Sequence, residues 1–424
     1  MTVLAFVILF FVLFFLGMPI AFAMITSAWA YALLEGIDLG FLSLQMFTSL
    51  DFFVLLAIPL FILTSEVMNR SSVSARIFDF ANSLVGFIPG GLGHVNVLTS
   101  VIFSGMSGSA VADVGGIGRL CYRSMVDDGY NKPFSAAVTA SSSVIGPIIP
   151  PSIPMVVFSM VSGESIARLF LGGAVPGILI AACLMIYIYF VARHSGHPVH
   201  PRQSLALVIA ALIRGFFPLL TPGILLGGIY LGVVTITEAA ALAVVYSLIL
   251  GIFAFRQFAV WEIIACLKSV FIICGSILIL LPAAKVFGFV LTAESVPDLF
   301  SGMVLSISDN PVFILIAINV LFLVLGCISD PNVNIMLFVP IVMPLANAIG
   351  MDPTHFGVVV VLNCMIGLVT PPVGSLLFTL SGMENIPIEK IIRQMWPFIA
   401  IFVLLLVVVT AFPSLVLTLP NMLS

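Results

Sequence analysis

Charge is what this sequence has least of: Asp, Glu, Lys and Arg make up 8% of its 424 residues, against roughly 25% in an ordinary soluble domain. That scarcity excludes a water-exposed surface over most of the molecule, and with it the basic face that nucleic-acid binding requires. There are only 6 cysteines, and they stand singly with no CxxC pair, which argues against a disulfide framework or a zinc site. Histidine is equally scarce, and neither H-E-x-x-H nor G-x-S-x-G occurs. An intramembrane hydrolase would therefore lack its nucleophile and base, and no enzyme is expected. Gly115-Gly-Ile-Gly118 is followed by no G-K-[ST], so a nucleotide-driven pump has no phosphate loop and an ion gradient is the expected energy source. The first apolar run lacks a Lys/Arg n-region and continues past Gly17 and Pro19. It reads as a retained membrane segment rather than a signal peptide.

What the chain has instead is hydrocarbon: 62% of its residues are hydrophobic. In a bilayer every backbone N–H and C=O must be paired internally, so spanning segments are helices or closed barrels, and long unbroken apolar runs select helices. Such runs recur from Met1 to Leu417, and the chain reads as an all-α polytopic membrane protein embedded in a lipid bilayer. Arg193, Arg202 and Arg214 cluster with His194, His197 and His200 in one polar stretch. The positive-inside rule puts that stretch, about residues 193–215, in the cytoplasm. Its glycine and prolines deny the histidines a helical frame, and a solvated cationic loop is the expected role rather than a metal site.

Self-comparison reveals a duplication. Gly105 and Gly326 stand 221 positions apart (326 − 105), and the same shift pairs Gly129 with Gly350, Gly146 with Gly367, Pro150-Pro151 with Pro371-Pro372, and Pro176 with Pro397. The first repeat covers about residues 1–192, with a hairpin near 94–126 and an interrupted helix near 134–162. The second covers about 216–424, with a hairpin near 311–349 and an interrupted helix near 355–381. Paired broken helices accompany inverted repeats in secondary transporters, so inversion is the expectation, although sequence parity alone does not exclude a parallel duplication.

The interruptions carry the chemistry. Ser141 to Pro154 contains four prolines inside an apolar run, and Asn363 to Gly374 contains a Pro-Pro pair. Proline removes a donor and clashes one turn back, so no continuous helix passes, and the freed carbonyls must be buried in protein or line a cavity. Carbonyl, Ser and Thr oxygens are hard ligands for an alkali cation. One segment earlier, Phe103 to Gly118 joins two apolar arms through small and hydroxylated residues near Ser104 to Ser109. Its counterpart places Asp330 at an N-cap with Pro331 at N1. Both read as re-entrant hairpins whose helix N-termini favour an anion. Asp113 and Asp330 are the carboxylates expected at membrane depth. Thr235-Ile-Thr-Glu238 fits a structural capping box, and Glu66 with Arg70 fits a surface i,i+4 pair.

Gly17-Met-Pro-Ile-Ala-Phe-Ala23, Ile58-Pro-Leu-Phe-Ile-Leu63, Gly105-Met-Ser-Gly-Ser-Ala-Val-Ala-Asp113, Ile145-Gly-Pro-Ile-Ile-Pro-Pro151, Thr237-Glu-Ala-Ala240 and Leu368-Val-Thr-Pro-Pro-Val-Gly374 together resemble the large membrane subunit of tripartite ATP-independent periplasmic (TRAP) transporters, the DctM-like permeases. The resemblance runs end to end. It implies an elevator with scaffold and transport regions in the bacterial inner membrane, coupled to sodium and importing an organic acid of the C4-dicarboxylate or sialic acid type. It also implies a soluble periplasmic binding protein that delivers the acid and a small four-helix membrane subunit. Carried over by position, one sodium site would fall at Ser107, Ser109, Gly146, Ile149 and Pro151. The other would fall at Gly326, Asp330, Gly367, Thr370 and Pro372. Substrate would lie between the hairpin tips, with Ser104, Asp113 and Asn334 chosen on proximity alone. A cation exchanger or channel using the same breaks is the alternative.

Overall fold

A computed structural model describes residues 2–71, 73–195 and 198–423; His197 of the cationic stretch lies outside them. All regular structure among these residues is helical. The first membrane layer is α1 (Thr2–Phe15), α2 (Ile20–Glu35) and α3 (Leu39–Thr48), followed by α4 (Ala57–Arg70) and α5 (Val73–Val85). A hairpin comes next: α6 (Gly91–Ser107), a turn, then α7 (Ala110–Asp113) continuing through a kinked π segment into α8 (Arg119–Asp127). The first interrupted helix is α9 (Lys132–Ser143), a non-helical break, and α10 (Ile153–Ser162). The long α11 (Ile166–Ser195) closes this copy.

After the polar connector come α12 (Leu205–Tyr230), α13 (Ile236–Leu248), α14 (Glu262–Leu278), α15 (Leu280–Ala293) and α16 (Val296–Ile307). The second hairpin is α17 (Pro311–Ile328) and α18 (Pro331–Ala348), and the second interrupted helix is α19 (Pro353–Gly367) and α20 (Ser375–Glu384). α21 (Ile388–Ala411) and α22 (Ser414–Leu423) end the chain. Among the described residues eight helical segments are long and apolar enough to cross a bilayer.

The repeat seen in the sequence is a repeat of punctuation. Gly129 and Gly350 both adopt left-handed backbone, φ +91° and +72°, the conformation that stops a helix and that glycine takes without a Cβ clash. Two residues later, Asn131 and Asp352 cap the next helix, accepting from Phe134 N at 3.4 Å and from Thr354 N at 2.8 Å, each with proline in the first turn. Each copy thus ends a hairpin and starts an interrupted helix by the same physical device. A polar staple also recurs inside the membrane. Ser142 Oγ donates to Asn96 at 2.8 Å in the first copy, and in the second Asn363 Nδ2 donates to Asn319 at 2.8 Å.

Packing gives the relative direction of the copies. α10 lies against α19, and α20 lies against α9. Glu164, just past the end of α10, meets the start of α19: Thr354 Oγ1 donates to its carboxylate at 2.8 Å, and Arg168 joins both Glu164 (3.3 Å) and Asp352 (3.7 Å). The end of one broken helix sits at the beginning of the other, so the copies run in opposite directions and the duplication is inverted. At the far end Glu384 closes the pair by accepting from Arg119 at 2.9 Å, with Arg123 at 3.7 Å. Around this body, α4 and α5 flank the first hairpin and α15 and α16 flank the second. A separate apolar layer joins α1, α2 and α15, where the Phe287 ring packs at a tilt against Phe6 and Phe10, centroids 4.6 and 4.9 Å away.

Candidate functional site

Both hairpin tips and both helix breaks meet at one cavity of about 790 Å³, within the range of small-ligand sites, roughly 300–1,000 Å³. Ser107 to Ala112 line it from the first hairpin, Asp330 to Asn332 from the second, and Pro147, Pro154, Met365 and Leu368 from the interruptions.

The first tip is shaped by Gly108, at φ +60°, which turns the chain between α6 and Ser109. Ser109 caps α7 by accepting from Ala112 N at 3.4 Å, and the Ser107 hydroxyl accepts from Ser109 N at 3.4 Å. The tip is docked onto the broken helix: Ile153 N donates to the Gly108 carbonyl at 3.3 Å. A Cβ built on Gly108 would fall 2.5 Å from the Pro151 carbonyl oxygen, and one on Gly146 would fall 3.6 Å from the Ser109 carbonyl oxygen. Ser107, Ser109, Gly146 and Pro151 therefore gather at one point. Ile149 packs its side chain on Gly177 of α11.

The second tip is tighter. A Cβ on Gly367 would lie 2.2 Å from the carbonyl carbon of Gly326, and one on Gly326 would lie 3.0 Å from Cys364 Cα. Here two backbones touch without side chains between them, the close approach that small residues permit in membrane helices. Thr370 sits one turn on, its N donating to the Gly367 carbonyl at 3.0 Å and its hydroxyl to Ile366 at 2.7 Å. Asp330 caps α18, accepting at Oδ1 from Asn332 N at 2.8 Å and Asn332 Nδ2 at 3.0 Å, and opens onto the cavity. Pro372 lies exposed and outside the cavity lining.

The three residues chosen on proximity stand elsewhere: Ser104, Asp113 and Asn334 are fully buried and none lines the cavity. Ser104 donates to its own helix at Val101. Asn334 is tied to Ser329 at its own tip. Asp113 accepts from Ser100 at 3.3 Å, bracing the two hairpin arms, and its Oδ2 has no partner among the described residues. All three lie on the packed faces of the hairpin arms and not on the faces that border the cavity.

Sequence reasoning missed the opposite wall, Ser65, Glu66, Asn69 and Arg70 on α4 with Ser276 on α14. The Glu66–Arg70 pair does form, at 3.4 Å, but it faces the cavity and is not on an outer surface. Polar residues at i, i+1, i+4 and i+5 within an apolar helix were the available signal, since lipid would have rejected that stripe. Glu238, by contrast, forms the capping box with Thr235, through contacts of 2.7 and 3.3 Å.

Inverted copies whose broken helices and hairpin tips converge on one cavity define a membrane transporter. Comparison with known proteins gives the family. The model for the tripartite ATP-independent periplasmic transporter, DctM component, matches residues 7–415. The chain is 41% identical over 411 residues to the sialic acid TRAP transporter large permease protein SiaM of Vibrio cholerae, covering 97% of this chain and 96% of that protein. It is 37% identical over 383 residues to the C4-dicarboxylate TRAP transporter large permease protein DctM of Pseudomonas aeruginosa, covering 90% of each. Among solved structures, the Alcanivorax borkumensis YdaH transporter superposes with a TM-score of 0.62 at 14% identity, over 88% of this chain and 87% of that one, a likeness of fold. The chain belongs to the DctM family: it is a large permease subunit of a TRAP transporter, an inner-membrane protein and not an enzyme.

Proposed function

We propose that this subunit imports a small organic acid, of the sialic acid or C4-dicarboxylate type, coupled to sodium and by an elevator movement of the inverted body against its surrounding helices. A soluble periplasmic binding protein delivers the acid, and a small four-helix membrane subunit completes the complex. The relatives named for sialic acid and C4-dicarboxylate transport support the cargo class. The observation that carries the reading is the pairing of each tip with its own break: backbone meets backbone at Ser109–Gly146 and at Gly326–Gly367, with the Ser109 hydroxyl and the Asp330 carboxylate at the tips beside a shared cavity.

The donors suit sodium. They are hard oxygens, and the buried Asn332 Oδ1 at the second tip has no hydrogen-bond partner among the described residues, so it is free to accept a cation or its water. Ser107, Ser109 and the Gly146, Ile149 and Pro151 carbonyls would hold one ion. Asp330, Thr370 and the Gly326, Gly367 and Pro372 carbonyls would hold the other. A bound cation at Asp330 offsets the negative charge that an arriving anion meets, which couples the two bindings.

The test is uptake of radiolabelled N-acetylneuraminate and succinate into proteoliposomes holding the complete transporter, with and without an imposed sodium gradient. Uptake is expected only with sodium, and Asp330→Asn and Ser109→Ala are expected to weaken the sodium response at normal membrane insertion. Uptake indifferent to sodium, or both variants responding like the parent, would refute the coupling and the sites.

A further inference from the structure

A carboxylate in the cavity needs a cationic partner, and the hairpin tips offer hydroxyls and one acid, Asp330. Among the described lining residues the cation is Arg70, at the end of α4 on the opposite wall. Its Nε lies 3.4 Å from Glu66 Oε2, a long contact that engages one of its donors; arginine has five. Among the described residues neither Nη has a hydrogen-bond partner. Its side chain is 38% exposed although it lies against the cavity between packed helices. Ser65 lines the same wall; it is 1% exposed, and its Oγ has no partner among the described residues. A guanidinium with its fork free, beside a buried hydroxyl lacking an acceptor, matches the planar geometry of a carboxylate.

We propose that Arg70 is the specificity-determining residue of the cavity and holds the carboxylate of the transported acid through its two Nη groups. Ser65 donates to the same carboxylate, and Glu66 stands in as the partner of the guanidinium when no acid is bound. The inference rests on the reading that the cargo is an organic acid, and it puts the cargo's charge on the α4 wall, away from the sodium oxygens at the tips. Glu66 then competes with the cargo. Removing its charge frees Arg70 and removes a repulsion, so binding tightens.

The experiment is equilibrium binding of radiolabelled N-acetylneuraminate and succinate, and competition by their neutral amides, on the purified transporter in sodium. The parent is expected to bind one acid and to prefer it over its amide at least about 100-fold, as expected of a charge-assisted pair that the bound acid covers from solvent. Arg70→Gln is expected to weaken the acid about 100-fold and to lose the acid-over-amide preference. Arg70→Lys keeps a point charge without the fork and is expected to weaken it about tenfold. Glu66→Gln is expected to tighten it about 3- to 10-fold. A merely structural Arg70 would leave the acid-to-amide ratio unchanged in every variant, and that result overturns the proposal. Should Arg70→Gln be recovered poorly, Arg70→Lys decides: parental affinity and parental ratio overturn it. A parent that binds neither acid overturns the functional reading and this inference with it, whereas a parent that binds beside an unaffected Arg70→Gln overturns this inference alone.

Discussion

Gly146 and Gly367 occupy the same position in the two copies, yet alanine should be tolerated at one and not at the other. At Gly367 the new Cβ would stand 2.2 Å from the carbonyl carbon of Gly326 and 2.5 Å from its Cα and O. Ordinary contact begins near 3.4 Å, so the hairpin must retreat by about 1.2 Å (3.4 − 2.2). The obstructing atoms are backbone, so no side chain can swing aside. Over-packing of this kind costs about 1–3 kcal/mol, and two rigid backbones put it at the upper end. Alanine's better helix propensity returns at most about 1 kcal/mol, leaving a loss of about 2 kcal/mol. At Gly146 the nearest atom is the Ser143 carbonyl oxygen at 3.3 Å, a conflict that a small adjustment relieves, and the change should stay within about 0.5 kcal/mol. Gly326→Ala, with Cys364 Cα at 3.0 Å, should fall between. Thermal unfolding of the purified protein should rank the variants Gly367→Ala, Gly326→Ala, Gly146→Ala from least to most stable. Equal melting of Gly367→Ala and Gly146→Ala would show that the second tip does not pack backbone on backbone.

Two further outcomes follow from the same contacts. Asn319→Leu leaves the buried Asn363 amide without the acceptor it holds at 2.8 Å; polar contacts between membrane helices average about 0.6 kcal/mol with a maximum near 1.7, so a loss of about 1 kcal/mol in thermal unfolding is expected, and none would mean that the pair is idle. Arg119→Ala and Glu384→Gln should each cost under about 1 kcal/mol, because Arg119 is 41% exposed and solvent screens the pair; a double-mutant cycle giving no coupling energy would remove this clamp between the copies.

The fold was legible because the duplication is written in residues whose roles are backbone roles. Gly129 and Gly350 stop helices, Asn131 and Asp352 start them, and Pro150-Pro151 and Pro371-Pro372 forbid continuity, each by local geometry that a sequence displays directly. The tips were legible too, Asp330 as a cap followed by proline and Ser109 as part of a cluster of small and hydroxylated residues between two apolar arms. The cavity's other wall was not. Ser65, Glu66 and Arg70 sit on a regular helix, and whether its polar stripe faces lipid, protein or a cavity depends on what packs beside it, which an i,i+4 spacing leaves open. Ser104, Asp113 and Asn334 failed to reach the cavity for the complementary reason: nearness in sequence to a tip says nothing of which way a side chain leaves its helix.

The two copies also differ in where they keep their acid. The first has Ser109 at its cap and Asp113 one turn into the arm; the second has Asp330 at its cap and Asn334 at the equivalent of Asp113. Each tip thus has one carboxylate within a turn of it, shifted by four residues between the copies, which is one turn of helix. The shift changes its surroundings completely. Asp330 opens on the cavity. Asp113 is sealed behind its tip, with Ser100 on one oxygen, Ser143 beside the carboxylate and Gly146 facing the other oxygen. Charge buried without a counter-charge is costly, so on the sodium coupling proposed above a cation at Ser109 and Gly146 would offset it from one turn away. Inverted duplication supplied two frames of the same shape, and a shift of one turn leaves the carboxylate of one facing the cavity and that of the other buried behind its tip.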